Sequence, residues 1–238
     1  MKKQLKVLIP IALFSLNATI SLAQTGNKAN SVSFTAADAK TKSDADIEVK
    51  ASEWVTALNL NDPAKEERVK TTIATHLKAV RDWHNDHPSS TVPAGINPTT
   101  GNRLSEMDRD IIANSAMPKS VHDSLMNVLK QELTPEQVET VLDKYTIGKV
   151  DFTFKGYHAI VPDLKPEEEA QILVYLKQAR EQAIDFKNMK EISAIFEIYK
   201  TKCEQYLNSN GRNWHQLFKA YVDAVKAKKA TEKQKQNN

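Results

Sequence analysis

The chain has 238 residues, including 33 Lys or Arg, 30 Asp or Glu and a single Cys. Three of the lysines and none of the acids fall within the first 23 residues, which leaves 30 basic and 30 acidic side chains in the remainder. This balance argues against nucleic-acid binding, which needs a clear basic excess. The single Cys excludes an intramolecular disulfide, and six Gly with nine Pro are too few for an all-β fold with many tight turns.

Residues 1–23 have the pattern of a secretory signal peptide. Lys2, Lys3 and Lys6 precede an apolar run at residues 7–16, and Ser21-Leu22-Ala23 has the small first and third residues of a cleavage site. The run is too short to cross a bilayer as a helix, and no Cys follows the cleavage site to carry a lipid anchor. Cleavage between Ala23 and Gln24 would release a soluble periplasmic or secreted protein with no integral membrane anchor.

The remaining residues predict an all-α fold with a single multi-helix domain at residues 44–230. A flexible lead-in at 24–43 and a disordered tail at 231–238 flank this domain, because both are polar and lack periodicity. Within it, apolar residues recur at helical spacing, and Asp62-Pro63, Ser105 and Thr134-Pro135 are typical helix starts. Asn210-Gly211 is a typical helix end, and a last helix should begin near Asn213.

Residues 149–161 predict the one exception, a small β-hairpin. Val150, Phe152 and Phe154 alternate with polar residues, and Lys155-Gly156 could form the turn.

A first candidate ligand site lies where the second helix meets the loop at 89–102, which is rich in Pro and Gly. His76, Val80, Trp83 and His87 share one face of that helix at 100° per residue. The simplest interpretation is a partly buried stripe, and the functional one is a platform formed by Trp83 and His87. His84 and His87 lie within one turn, but no further ligands are recognisable, so no metal site is predicted.

A second candidate site is the turn that contains Arg212, Asn213 and Trp214. Amide, guanidinium and indole groups can hold a sugar through hydrogen bonds and ring stacking. The chemistry of the turn explains Asn213 equally well.

Two further residues are predicted to be structural. The alternative for Arg180 is a ligand clamp, and the alternative for Cys203 is a reactive thiol or an intermolecular bridge. Arg180 shares a helical face with Leu176 and Ala183, so its charge should be buried and paired. Cys203 lies on an apolar face and should be a small buried hydrophobe. We expect the partner of Arg180 on its own helix or the next one, among five acids: Glu181, Asp185, Glu191, Glu197 and Glu204.

Motifs for catalysis or cofactor binding are missing from the sequence. It contains no G-x-S-x-G, H-E-x-x-H, P-loop or dinucleotide fingerprint. No catalytic residue and no cofactor are therefore predicted, and a glycoside-active enzyme is the least favoured interpretation.

Seven segments in order carry a family resemblance: residues 97–101, 115–119, 148–153, 156–162, 179–183, 188–192 and 210–214. Together they resemble an uncharacterised domain-of-unknown-function family of exported Bacteroidota proteins, some of which carry a sugar-binding label. The resemblance implies a periplasmic protein that binds an oligosaccharide or assists polysaccharide utilisation, and it implies no site residues. The alternative is a periplasmic helical chaperone or interaction module, because residues 133–137 match the Leu-Thr-x-x-Gln signature of small chaperones.

Overall fold

The computed structural model describes residues 35–98 and 100–236. The predicted signal peptide and residues 24–34 of the predicted lead-in lie outside these residues. The described residues form nine α-helices, no strand, and one isolated bridge between Ile96 and Arg103, so the all-α prediction is confirmed. The helices are α1 Ala36–Thr56, α2 Pro63–Asp86, α3 Glu106–Ser115, α4 Lys119–Glu132, α5 Pro135–Thr146, α6 Lys149–Ile160, α7 Pro166–Ala183, α8 Met189–Ser209 and α9 Trp214–Gln236, with a short 3₁₀ turn at Ser89–Thr91.

Local capping sets most of the helix starts. Asp62 accepts hydrogen bonds from the backbone of Ala64 and Lys65 at the start of α2. Capping boxes begin α3 at Ser105 and α5 at Thr134, with Asp108 and Gln137 as the reciprocal partners. These three starts are predicted from the sequence. They can be recognised there because a cap involves only residues that are two or three positions apart.

Both ends of the domain are more helical than the sequence pattern indicates. A capping box between Thr35 and Asp38 begins α1 at Ala36, eight residues before the expected start at Asp44. Helix α9 continues to Gln236, within the segment expected to be a disordered tail. Neither segment has apolar periodicity, so capping and helix propensity, rather than a buried face, account for its helical form.

The predicted β-hairpin at 149–161 is wrong, because these residues form α6. Val150, Phe154, Tyr157 and Val161 fall within about 60° of one another at 100° per residue, and this face packs inward. Phe152 lies on the opposite side and is 66% exposed. The alternation of Val150, Phe152 and Phe154 therefore mimics a strand, whereas the longer helical period decides the structure.

Two apolar cores meet at the end of α7. The first contains residues of α1, α2, α4 and α5, and the second contains residues of α6, α7 and α8 with Trp214 of α9 against it. In the turn after α7, Ile184 packs into the first core and Phe186 into the second. Asp185 lies between them, so a carboxylate is held where the two cores join.

Arg180 and Cys203 are both buried, as predicted. The partners of Arg180 are not among the five predicted acids. Its guanidinium binds Glu139 and Asp143 of α5. The apolar stripe on α7 indicated that Arg180 is buried, but only the packing of α5 against α7 determines which acids reach it.

Candidate functional site

A cleft of about 550 Å³ lies between the start of α4 and the end of α7, and we call it the α4–α7 cleft. Tyr199 of α8 and Phe186 supply aromatic surface, and Lys119 contributes a cation at one side. Most of the other lining groups are amides, carboxylates and an imidazole: Asn114, Gln178, Gln182, Glu181, Asp185 and His122. A concave site with a few convergent polar groups is the usual form of a small-molecule site.

One carboxylate in this cleft joins two imidazoles. Oδ2 of Asp185 lies 2.8 Å from Nδ1 of His122, and Oδ1 lies 3.0 Å from Nε2 of His76. The ring of His122 is therefore fixed with Nε2 on its other side, 3.7 Å from Oε1 of Glu181. An imidazole held by a carboxylate through Nδ1 can accept or release a proton at Nε2.

The two partners shift each other's protonation. Hydrogen bonding to Asp185 raises the pKa of His122 above its usual value, and this outweighs the opposing effect of burial. Burial alone would raise the pKa of Asp185, but the hydrogen bonds from His122 and His76 lower it overall. Asp185 is therefore a carboxylate at neutral pH, and His122 binds its proton more tightly than an exposed His does.

His76 connects this pair to a second cavity of about 370 Å³ between α2 and α4. Its side chain is 2% exposed, and Nδ1 has no hydrogen-bond partner among the described residues. The ring of Tyr145 packs edge-on against His76 at 5.4 Å between centroids. Burial raises the pKa of Tyr145 well above its usual value, and the nearby charge of Asp185 adds to this effect.

Asn114, in the cleft lining, also has an unpaired polar atom. It is buried near the end of α3 and lines the cleft, and its Oδ1 has no partner among the described residues. A buried acceptor without a partner costs about 1–3 kcal/mol. Because Oδ1 is itself closed to solvent, a ligand in the cleft reaches it only if the Asn114 side chain turns.

Trp83 and His87 lie beside the cleft and are not part of its lining. Their rings stack at 3.7 Å between centroids and 13° between planes, so His87 covers one face of Trp83. Nε1 of Trp83 donates to the carbonyl of Ala113 at 3.1 Å. Trp83 thereby holds the end of α3, which carries Asn114.

Arg212, Asn213 and Trp214 lie at the corner between α8 and α9 and do not line the cleft either. Arg212 hydrogen-bonds the buried carboxylate of Glu168 through Nε and Nη2, at 2.7–3.1 Å. Asn213 accepts from the backbone of Gln216 at 3.1 Å, and Trp214 packs against Tyr157. Each of these side chains therefore has a partner within the protein that accounts for it structurally.

Sequence reasoning did not identify His122 or Asn114 as site residues, and it considered Asp185 only as a partner for Arg180. A signal for His122 was present, because it precedes Leu125, Met126 and Leu129 of α4 by three, four and seven residues. A His on a buried face needs a polar partner, but its partner is 63 residues away.

Across residues 35–98 and 100–236, no group of three or more His, Cys, Asp or Glu is arranged to hold a metal ion. Within the same part of the chain, no helix combines the length and the apolar character needed to cross a membrane.

Comparison with known proteins identifies a family but no characterised relative. No curated protein matches the chain. One family matches residues 44–227, which include α2 to α8, most of α1 and the first part of α9. The chain therefore belongs to the family described as "Protein of unknown function (DUF3826)".

Proposed function

We propose that this protein binds carbohydrate in the α4–α7 cleft, as an exported binding or accessory protein in polysaccharide utilisation. The export signal predicted at residues 1–23 supports action in the periplasm or outside the cell. The observation that carries the binding proposal is the group of amide residues that line the cleft, Asn114, Gln178 and Gln182. A sugar hydroxyl can both donate to and accept from such amides.

The other lining groups also suit an uncharged, hydroxyl-rich ligand. Gln178 and Gln182 are exposed on the cleft side of α7, and each amide offers both a donor and an acceptor. The formal charges of the lining nearly cancel when His122 is protonated, because Lys119 and His122 then balance Glu181 and Asp185. A volume of about 550 Å³ lies within the range of about 300–1,000 Å³ for small-molecule sites.

Isothermal titration calorimetry with neutral xylo-, cello- and manno-oligosaccharides tests this proposal. We expect Asn114→Ala and Gln182→Ala to weaken binding about tenfold or more, which corresponds to about 1.4 kcal/mol. Gln131→Ala is the matched control, because Gln131 is exposed on α4 and is not part of the cleft. Its affinity should equal that of the wild type.

Two tryptophan variants distinguish the cleft from the sites that the sequence suggested. Trp214→Ala should leave the affinity unchanged, provided that the variant is folded. Trp83→Ala should weaken binding only indirectly, because it removes the hydrogen bond to Ala113 that holds the neighbouring Asn114 in place. Loss of binding in Trp214→Ala with normal binding in Asn114→Ala would move the site to the α8–α9 corner. Failure of every sugar to bind more tightly than millimolar would refute carbohydrate binding.

A further inference from the structure

The α4–α7 cleft contains one imidazole that is arranged for proton transfer. Asp185 holds Nδ1 of His122 at 2.8 Å, which orients the ring and leaves Nε2 toward Glu181 and the cleft. Asp185 also binds His76, so its position does not depend on His122 alone. Among the described residues, no Ser, Thr or Cys side chain hydrogen-bonds His122, which leaves water as the group that Nε2 can activate.

The carboxylates of the cleft do not suit glycoside cleavage. That reaction generally needs two carboxyl groups free to act on opposite sides of the bond. Asp185 is occupied by two imidazoles, so Glu181 is the one carboxylate in the lining that remains available. A base formed by imidazole and water is suited instead to attack on an acyl carbon.

The start of α4 can stabilise the charge that such an attack creates. Pro118 and Lys119 line the cleft one turn before His122, and no side chain caps this helix. The first N–H groups of a helix, here those of Lys119 and Ser120, have no partner within it, whereas that of Val121 donates to the Pro118 carbonyl. The helix dipole favours negative charge at this end.

We propose that the cleft hydrolyses O-acetyl or similar acyl esters on its carbohydrate ligand, with His122 as the general base and Asp185 as its positioning residue. The choice of a carbohydrate ester rests on the proposed function.

The reaction balances with water as the only co-reactant. The water oxygen forms a bond to the acyl carbon while Nε2 of His122 takes the water proton, and the carbonyl oxygen becomes an oxyanion near the first N–H groups of α4. The oxyanion then collapses and the bond from the acyl carbon to the sugar oxygen breaks. The proton on Nε2 passes to that oxygen, so the products are a carboxylic acid and a free sugar hydroxyl.

The charged groups around His122 set the pH dependence of this reaction. Asp185 and Glu181 face it from the end of α7, His76 lies beyond Asp185 on α2, and Lys119 and Asp123 belong to its own helix. The negative groups favour the protonated imidazole, led by the hydrogen bond to Asp185. Because the base must be neutral, kcat/KM should rise with pH through a value above 6.5, the ordinary pKa of His.

Acetate release from acetylated xylo-oligosaccharides and hydrolysis of 4-nitrophenyl acetate test the proposal with the full mature chain. We expect His122→Gln to lower kcat/KM about 100-fold or more, the scale for losing a general base. His158→Gln is the matched control for background imidazole reactivity, because His158 is half exposed beside Glu169 on another face. Its rate should stay at the wild-type level.

A second variant separates positioning from general structural damage. Asp185→Asn should shift the inflection in the pH–rate profile toward that of an ordinary His, whereas His122→Gln should abolish it. Circular dichroism and thermal unfolding confirm that each variant is folded. Equal activity in wild type and folded His122→Gln would overturn the role of His122.

The outcomes also distinguish this inference from the proposed function. One outcome is that deacetylated xylo-oligosaccharides bind but the acetylated ones release no acetate above the buffer blank. This would overturn the esterase activity and leave the binding proposal intact. The other outcome is hydrolysis of 4-nitrophenyl acetate that depends on His122 while no sugar binds. This would support the role of His122 as general base and refute a carbohydrate ester as the substrate.

Discussion

Arg180 and Glu139 form an ion pair that is buried on one side only. Nη2 of Arg180 lies 2.6 Å from Oε1 of Glu139, yet the Arg180 side chain is 2% exposed whereas that of Glu139 is 39% exposed. Asp143 binds Nη1 at 2.7 Å and is 41% exposed. Removing the cation therefore leaves acids that water can reach, whereas removing the acids leaves a cation that water cannot reach.

This asymmetry predicts unequal losses of stability. Arg180→Met should cost about 1.5–3 kcal/mol, the range for losing hydrogen bonds to a charged group. The double variant Glu139→Ala with Asp143→Ala should cost about 3–5 kcal/mol, because it leaves a buried charge without compensation. Urea denaturation measures both, and Arg180→Lys should recover only part of the loss, since Lys lacks the planar fork. A larger loss in Arg180→Met than in the double variant would contradict the prediction.

The Arg212–Glu168 pair predicts a pH-dependent effect. Hydrogen bonds from Arg212 lower the pKa of Glu168 below its ordinary value of 4.5. A lowered carboxyl pKa contributes stability that is present above the ordinary value and is lost as the pH falls through the folded value. The difference in unfolding free energy between wild type and Glu168→Gln should therefore be large at pH 7 and shrink below pH 4.5. Chemical denaturation at several pH values measures this difference. A difference that stays constant with pH would show that ionisation of Glu168 does not contribute to stability.

Asp163 offers the control for that experiment. It also binds Arg212, at 2.9 Å, but its side chain is largely exposed. Asp163→Asn should change stability by about 0.5 kcal/mol or less, as exposed pairs usually do.

The stability that His122 contributes should depend on pH with the opposite sign. Its pKa is raised by Asp185, so its contribution to stability is full below 6.5 and is lost as the pH rises through the folded value. His122→Gln should therefore be least stable relative to wild type near pH 5.5–6 and nearly as stable as wild type at pH 9. Thermal unfolding across this range measures the difference, and a deficit that grows with pH would show that the charged pair is not the cause.

Cys203 should react with thiol reagents only after unfolding. Burial raises the pKa of its thiol to about 11, so the reactive thiolate is scarce at pH 8 as well as inaccessible. Ellman's reagent should detect no fast-reacting thiol in the native protein and one equivalent in guanidinium. Rapid reaction of the native protein would mean that this part of α8 opens readily.

Gly156→Ala tests the helical form of α6. Gly156 lies within this helix with a negative φ, and an added Cβ meets no atom within 4 Å. Alanine should therefore raise the unfolding free energy by about 0.5–1 kcal/mol, as in other helix interiors. Loss of stability would indicate that residues 155–156 need the freedom of a turn, as in the hairpin that the sequence pattern suggested.

The sequence by itself determines the features that depend on neighbours within one or two turns. The caps at Asp62, Ser105 and Thr134 and the helix end at Gly211 are examples, because each is satisfied locally. The burial of Arg180 and Cys203 follows from apolar faces that a periodic pattern reveals. Local pattern fails at α6, where a short alternation competes with a longer helical period and only packing decides between them.

Tertiary structure alone decides the candidate site. His122 and His76 reach Asp185 across 63 and 109 residues of sequence, and no local preference encodes such a meeting. It occurs because Ile184 and Phe186 enter different cores and hold Asp185 at their junction, where a largely buried carboxylate needs partners. The cleft follows from the same packing, since α4 and α7 meet there without filling the space between their ends.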